Sequence, residues 1–150
     1  MRTPTFAVSF LFALLAFGCT AKVESTSPTD AAAQAAIEAV AKANPEIVRL
    51  TVHMQPAGGS GPIAVASTAA DRLGKPSDKE DVQAMQSGQP VVLDEKDAMD
   101  VTVPAMQKDG KWTAAIGVTL KAPAGADKEA LKKKAAEIAS GIEKTLATKK

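Results

Sequence analysis

The stretch from Val65 to Val92 carries the most closely spaced boundary signals in the chain and fixes the order of the elements around it. It begins in an apolar run typical of a strand and passes through a polar turn. Ser77 and Glu80 then match the capping-box pattern, which predicts a short helix from Asp78 to Gln86. Ser87-Gly88 ends that helix, because glycine readily adopts the left-handed conformation after a last helical turn. An apolar run starts again afterwards, so the stretch predicts strand, helix and strand in that order.

Alternating or short apolar runs on both sides of this stretch predict further strands. In the clearest case, Val48, Leu50 and Val52 alternate with polar residues, as in a strand with one buried face. Turns rich in glycine or charge separate the runs, among them the predicted charged turn Asp94–Ala98, and Pro104 is expected to interrupt the end of the fourth strand. The predicted strands are Ile47–Gln55, Ile63–Thr68, Val91–Leu93, Met99–Met106 and Trp112–Leu120.

Two longer helices flank the strands. An alanine-rich run to Ala43 has high helix propensity, and Ser27 followed by Pro28 suits its first turn. Near the other end of the chain, Asp127 is expected to cap an amphipathic helix that runs to Thr148. The chain is therefore predicted to have an α+β fold, in which a five-stranded antiparallel sheet is combined with a long N-terminal helix, a short helix after the second strand and a C-terminal helix.

The first residues are typical of a bacterial lipoprotein. Met1–Gly18 combines a basic residue with a short apolar run, in the order of a secretory signal peptide. Leu15–Cys19 resembles a lipobox and makes Cys19 the expected site of lipidation, followed by a lipidated tether over residues 19–27. We expect the protein to be anchored to a bacterial membrane facing the periplasm, with the outer membrane favoured because no aspartate follows the cysteine. An ordinary secreted protein cut at the same point is the alternative.

The composition excludes several classes of function. Lysine and arginine number 18 and aspartate and glutamate 17, so the chain lacks the basic excess that nucleic-acid binding requires. Cys19 is the only cysteine and His53 the only histidine, which leaves no disulfide and no cluster of metal ligands. We expect no cofactor. Trp112 is the only aromatic residue beyond the signal peptide, and we expect it to pack over the edge of the sheet.

Short motifs along the chain occur in the order found in one known family. They are Ser67-Thr68, Arg72–Ser77, Asp81–Gly88, Pro90–Val92, Asp100–Pro104 and Gly117-Val118. Together they resemble the single Cache domains, which are PAS-like extracellular sensors. The resemblance implies a Cache-like domain over residues 28–121, with an additional amphipathic helix over residues 122–150. Cache domains usually lie between transmembrane helices of receptors, so a lipid-anchored relative would have to act through a partner protein.

Five polar residues are candidates for a binding site on the sheet. Arg49, Thr51 and His53 alternate along the polar face of the first predicted strand, and Asp100 and Thr102 do the same on the fourth. In a PAS-like sheet the face away from the terminal helices can line a cavity. There, Arg49 or His53 would pair with a carboxylate, and the residues of the fourth strand would accept hydrogen bonds from an amino group. The expected ligand is a small carboxylate, amino acid or amine; the alternative is a solvated polar face without a ligand.

The sequence favours no enzyme. Ser60 lies among glycines but lacks the G-x-S-x-G spacing of a nucleophile elbow. Gly74-Lys75-Pro76 has proline where a phosphate-binding loop has its hydroxyl residue. Two hypotheses remain: a domain that binds a small molecule and signals through a periplasmic partner or a homodimer, and a structural or interaction lipoprotein that retains the scaffold without a ligand. A cavity on the polar face would favour the first, and apolar packing there would exclude it.

Overall fold

The computed structural model of the chain describes residues 29–56 and 58–148. The predicted signal peptide, the tether with Cys19, and the cap predicted at Ser27 lie outside these residues. Within them, no helix is both long and apolar enough to cross a membrane. The elements are α1 Ala31–Ala43, β1 Ile47–Met54, β2 Ile63–Ser67, α2 Lys79–Ser87, β3 Val91–Glu95, β4 Ala98–Lys108, β5 Lys111–Lys121 and α3 Lys128–Ala147, with a short 3₁₀ turn at Ala70–Arg72.

The five strands form one antiparallel sheet in the order β2-β1-β5-β4-β3. The long helices α1 and α3 pack against each other and on one face of this sheet, whereas α2 packs on β5, β4 and β3. The predicted α+β architecture with three helices is therefore confirmed. The fold places the helix that follows β2 alone over the polar face of the sheet.

The hydrophobic core lies between the sheet and the pair α1 and α3. Leu50 and Val52 of β1 and Ile116 and Val118 of β5 enter it from the sheet, and Ile142 enters it from α3; all five are fully buried. Because side chains alternate between the faces of a strand, the residues between them point to the opposite face. This alternation directs the polar residues of β1 towards α2.

The alternation fails at the start of β1. Val48 was expected to share the buried face with Leu50, but it is 52% exposed. The pairing of β1 with β5 shifts between Ile47 and Arg49, so Val48 is an extra residue at an irregularity in the ladder. The expectation for Val48 is therefore wrong: the added residue interrupts the alternation, and Ile47, not Val48, packs against the core.

The starts of α1 and α2 differ from the prediction, whereas Asp127 caps α3 as predicted. Asp30, expected inside α1, is its N-cap residue, and its Oδ1 accepts a hydrogen bond from Ala33 N at 2.9 Å. The capping box of α2 is formed by Asp78 and Asp81, one residue later than the predicted pair Ser77 and Glu80. Aspartate caps as well as serine does, and both pairs have the same spacing. The shift matters because it releases Ser77 and turns Asp81 towards the sheet.

The hairpin between β3 and β4 is tighter than predicted. β3 continues to Glu95 and β4 starts at Ala98, so most of the predicted turn Asp94–Ala98 is strand, and Asp97 has a positive φ of 57°. β4 also continues past Pro104 to Lys108 instead of ending there. Pro104 is tolerated because β3 pairs with β4 only as far as Thr102, which leaves the proline on a free stretch of edge.

Candidate functional site

A cleft of about 140 Å³ lies between α2 and the polar face of the sheet. Its lining is mostly charged or able to form hydrogen bonds, and Leu93 is the one large apolar side chain in it. The face is thus open to solvent and not sealed by apolar side chains. The lining residues are Arg49, Thr51, His53, Arg72, Asp78, Glu80, Asp81, Leu93, Glu95, Asp100 and Gly117.

Asp81 is the buried acid of the cleft, with 6% of its surface exposed. Its place in the first turn of α2 fixes its carboxylate: Oδ2 accepts a hydrogen bond from Asp78 N at 2.9 Å, and Oδ1 accepts one from Thr102 Oγ1 at 3.3 Å. Burial raises the pKa of Asp81 from its usual 3.8 to about 6, because the charged form is poorly solvated there. At neutral pH the carboxylate is still ionised and acts as an acceptor.

His53 lies beside Asp81 and is also buried, with 7% of its surface exposed. Its Nδ1 is 3.3 Å from Asp81 Oδ2 and 2.9 Å from Ser77 Oγ. These distances suit an ion pair, but burial lowers the pKa of His53 to about 4, so the ring is neutral at neutral pH. Because an ionised carboxylate only accepts, the proton belongs on Nδ1, and Nε2 carries a free lone pair.

Both arginines of the cleft already have carboxylate partners. Arg49 Nη2 lies 3.2 Å from Glu95 Oε1 and 3.6 Å from Asp100 Oδ2. Arg72 Nη1 donates to Asp78 Oδ2 at 2.8 Å. The guanidinium groups are therefore engaged before any ligand arrives.

The charge of the lining is negative. Two arginines face five carboxylates, those of Asp78, Glu80, Asp81, Glu95 and Asp100, which leaves an excess of three negative charges when all five are ionised. Charges that line a concave surface reinforce one another, because the field is concentrated between walls of low dielectric constant. The cleft therefore attracts cations and repels anions.

Comparison with known proteins places the fold. No protein-family model matches the chain, and no curated protein sequence matches it. Among solved structures, the A. aeolicus nlh2 GAF domain in an inactive state is similar with a TM-score of 0.55 and 13% sequence identity, over 76% of this chain and 82% of that one. The chain has a GAF-like fold.

Two other solved structures are similar at lower scores. The GAF domain of the Acinetobacter phosphoenolpyruvate-protein phosphotransferase has a TM-score of 0.46 and 17% identity, over 74% of this chain and 80% of that one. An IclR homologue from Microbacterium hydrocarbonoxydans, complexed with 4-hydroxybenzoate, has a TM-score of 0.44 and 15% identity, over 78% and 67% of the two chains.

The assignment to single Cache domains is therefore wrong. GAF and Cache domains are different folds that share a PAS-like architecture, and the structural neighbours are GAF domains. The motifs that suggested Cache are caps, turns and glycine stops, such as Asp81–Gly88. These residues mark where helices and strands end in any sheet of this type, so they do not separate one PAS-like family from another.

The GAF-like fold brings four of the five predicted site residues into the cleft. Arg49, Thr51, His53 and Asp100 line it, whereas Thr102 is buried behind Asp81 and orients that carboxylate. All four have protein partners: besides the contacts of Arg49 and His53 described above, Thr51 pairs with Ser67 Oγ at 3.1 Å, and Asp100 accepts a hydrogen bond from Thr119 Oγ1 at 2.9 Å. Their part in ligand binding stays a prediction.

The residues that α2 and its preceding turn supply to the cleft were not among the predicted site residues. Asp81, Asp78 and Arg72 read as ordinary helix-start and turn residues, and Glu95 fell in a predicted turn. One signal was available. The first turn of a helix that follows a strand and packs back on the sheet faces that sheet, so polar residues in the first turn of α2 were candidates for the site. Without the pairing of the strands, however, nothing in the sequence shows which face it covers.

The site lacks the arrangement of a catalytic triad. A serine nucleophile and an orienting aspartate must contact different nitrogens of the histidine. Here Ser77 Oγ and Asp81 Oδ2 both approach Nδ1 of His53. Within residues 29–56 and 58–148, no group of three or more potential metal ligands is present.

Trp112 contacts the far end of α2, at Gly88. Gly88 has a positive φ of 67°, and a Cβ on it would collide with the indole nitrogen of Trp112. The glycine thus ends the helix and makes room for the indole. Trp112 is absent from the lining of the cleft, which agrees with a packing role and not with a ligand platform.

Proposed function

We propose that this GAF-like chain is a non-catalytic domain that binds a small organic molecule in the cleft beneath α2 and acts through a partner protein. The observation that carries the proposal is the buried pair His53 and Asp81, which faces a solvent-filled cleft. Burying a titratable group that shifts its pKa costs free energy, and such groups are concentrated at functional sites. If the cleft had no binding role, we would expect these buried titratable residues to be replaced by residues that cost less folding free energy.

The dimensions of the cleft limit the ligand. Cavities of about 150 Å³ hold a molecule the size of benzene. The cleft, at about 140 Å³, therefore accommodates the head of a small metabolite but not a nucleotide or a peptide. A longer ligand would extend out past Leu93, which is 39% exposed at the mouth.

A ligand screen with a matched variant tests the proposal. Amino acids, small carboxylates and small amines are added to the purified protein, and thermal stability and amide NMR shifts are recorded; a ligand that binds the folded state raises the midpoint. The control is Gly117→Val, which adds atoms at the floor of the cleft without changing its charge. A Cβ there would meet nothing closer than Thr51 O at 3.9 Å. A circular dichroism spectrum equal to that of the wild type is required before loss of binding in the variant is interpreted. Binding that is lost in this variant supports the proposal, and binding that persists unchanged places the ligand elsewhere.

The second candidate is a structural or interaction domain that has no ligand. It is favoured by the pairing of Arg49 and Arg72 with carboxylates of the same cleft, which makes part of the lining self-sufficient. If no member of the library shifts either readout while the protein is folded, this candidate replaces the first.

A partner or a second copy of the chain would receive the signal. Val92 is a large apolar side chain, 37% exposed on the edge strand β3, and offers a contact point for such a partner. Sedimentation of the protein with and without ligand, and with Val92→Ser as the comparison, tests this: the expected result is an association that depends on Val92.

We also propose that the chain is lipid-anchored through Cys19 and faces the periplasm, favouring the outer membrane. The support is the secretory pattern of residues 1–18 and the lipobox-like residues before Cys19. Labelling with a radioactive fatty acid tests it. The Cys19→Ser variant should lose the label, and equal labelling of both proteins would contradict the proposal.

A further inference from the structure

We infer that the cleft takes a small organic cation, a primary amine or a guanidinium group, in preference to a carboxylate. The inference rests on the proposed function, since it names the chemical class of the ligand for that same cleft. Three features of the lining carry it: the engaged arginines, the free acceptor on His53, and the apolar contact at the mouth.

The arginines argue against a carboxylate ligand. Arg49 is held by Glu95 and Asp100, and Arg72 by Asp78. A ligand carboxylate would have to displace one of these ion pairs, and it would enter a cleft that already has an excess of three negative charges. A ligand cation that pairs with Asp81 meets no such competitor, because neither arginine is paired with that carboxylate, and it gains from the same excess.

His53 offers a ligand its second ring nitrogen. The polar contacts of the His53 ring with the described residues all involve Nδ1. No fully buried side-chain nitrogen or oxygen of the described residues lacks a partner, so Nε2 is accessible to solvent. Because His53 lines the cleft, we take this nitrogen to face it. With the proton on Nδ1, Nε2 can accept a hydrogen bond from an N–H group of a ligand.

The protonation state of His53 also favours a ligand that donates a hydrogen bond to Nε2. Burial lowers the pKa of His53 to about 4, with smaller contributions from Arg72 and Arg49 that oppose the raising effect of Asp78, so the ring does not become the cation that a carboxylate would need. A ligand that donates to Nε2 and carries a positive charge fits the ring and the nearby carboxylate of Asp81 together. Ammonium and guanidinium groups have both properties.

The remaining lining sets the shape of the ligand. Gly117 leaves the floor free of a side chain, and Leu93 provides apolar surface at the mouth. A charged head that lies on the floor would therefore carry a short alkyl tail past Leu93. This describes an alkylamine or alkylguanidine of a few carbons.

The test uses four probes of nearly equal size: n-butylamine, n-butylguanidine, n-butanol and butyrate. Each is titrated into the purified protein near neutral pH, and amide shifts of Gly117, Thr51 and Asp81 are followed. The two cations are expected to bind at least about tenfold more tightly than butanol and butyrate, which corresponds to one charged hydrogen bond. Asp81→Asn should weaken the binding of both cations, whereas Arg49→Gln should strengthen it, because it removes a positive charge that pairs with Glu95 and Asp100.

The outcomes separate the inference from the proposed function. If butyrate or butanol binds in the cleft as tightly as the cations, the cation inference is overturned and the proposed function stands. If no probe shifts these amides but a member of the broader library does, its charge decides: a cation supports the inference and an anion or neutral compound overturns it. If nothing binds, both fail. Gly117→Val serves as a second variant, because it should reduce cation binding without removing any charge, even if Asp81→Asn proved unstable.

Discussion

The two faces of the sheet are built differently, and β5 shows this at neighbouring positions. Ile116 is fully buried in the aliphatic core under α1 and α3, whereas Gly117 next to it leaves the floor of the cleft open under α2. The first face removes apolar surface from water, which is the main stabilising term in folding. The second face holds Asp81 and His53 at buried positions where their charged forms are disfavoured. One face supplies stability, and the other uses part of it to hold polar groups in fixed positions.

The largest difference between the faces should appear on truncation of aliphatic side chains. Ile142→Ala removes a fully buried side chain from the α3 face and should lower the free energy of unfolding by about 2–5 kcal/mol, since it leaves a cavity. Leu93→Ala, on the cleft face, should cost less than about 1 kcal/mol because Leu93 is already partly solvated. Urea unfolding measures both, and equal losses would contradict the division between the two faces.

The second prediction concerns pH and Asp81. A carboxyl whose pKa is higher in the folded than in the unfolded state favours folding at low pH, and this contribution is lost as the pH rises from about 4 through about 6. Because asparagine does not ionise, Asp81→Asn removes this decrease in the free energy of unfolding as the pH rises. Relative to the wild type, the variant should therefore gain on the order of 2 kcal/mol in unfolding free energy between about pH 4.5 and about pH 7.5.

The comparison with the wild type is needed because His53 has the opposite trend. Its pKa is lower in the folded state, so its contribution is present above about 6.5 and is lost as the pH falls through about 4. The wild-type curve contains both trends, which oppose each other, and subtracting it isolates Asp81. If the difference in unfolding free energy between the two proteins did not change with pH, the pKa of Asp81 would be the same in the folded and unfolded states, which would contradict the prediction.

The third prediction tests the support of Asp81 from the sheet. Thr102→Val removes the hydrogen bond to Asp81 Oδ1 and should cost about 1 kcal/mol. Because that bond stabilises the ionised form, its loss should raise the pKa of Asp81 further, which NMR titration of the side-chain carboxyl measures. Thr113→Val is the control, since Thr113 is exposed and bonds to Met106 O instead. An unchanged pKa in the Thr102 variant would mean that the hydrogen bond from Thr102 does not stabilise the ionised form.

The smallest effect is expected for the ion pairs at the rim. Arg49→Gln should change the free energy of unfolding by about 0.5 kcal/mol or less, because partly exposed ion pairs contribute little. It should still raise the pKa of His53 slightly, since Arg49 is one of the charges that lower it. Arg72→Gln should act in the same direction. A downward shift in either variant, read from the histidine ring resonances, would exclude this electrostatic coupling.

The architecture was predictable from the sequence because local signals repeat across it. Alternation marked β1, glycine and proline marked the loops, and Asp127 capped α3 as expected. The errors arose where two local solutions are nearly equal in free energy. The boxes Ser77–Glu80 and Asp78–Asp81 have the same spacing, and only contact with the sheet selects the second. The irregularity at Val48 likewise depends on how β5 pairs, which no local pattern contains.

The site was half predictable for the same reason. The β1 residues Arg49, Thr51 and His53 share a face by alternation alone, so sequence placed them together. Asp81 and Arg72 reach the cleft only because α2 folds back over the sheet, and that geometry is set by the tertiary fold. The family assignment failed because it relied on residues that end helices and strands, which are common to the PAS-like folds.

The free stretch of β4 beyond Thr102 has a consequence for self-association. An unpaired strand edge normally offers N–H groups to a strand of another molecule, which is a route to aggregation. Pro104 has no N–H to offer, and the N–H of Met106 donates to Glu143 Oε1 of α3 at 2.6 Å. At positions 104 and 106 the backbone N–H group that could bond to an incoming strand is therefore either missing or already bonded. Even at high local density on a surface, two copies of the protein would not pair through this edge. Any contact between copies would have to form elsewhere.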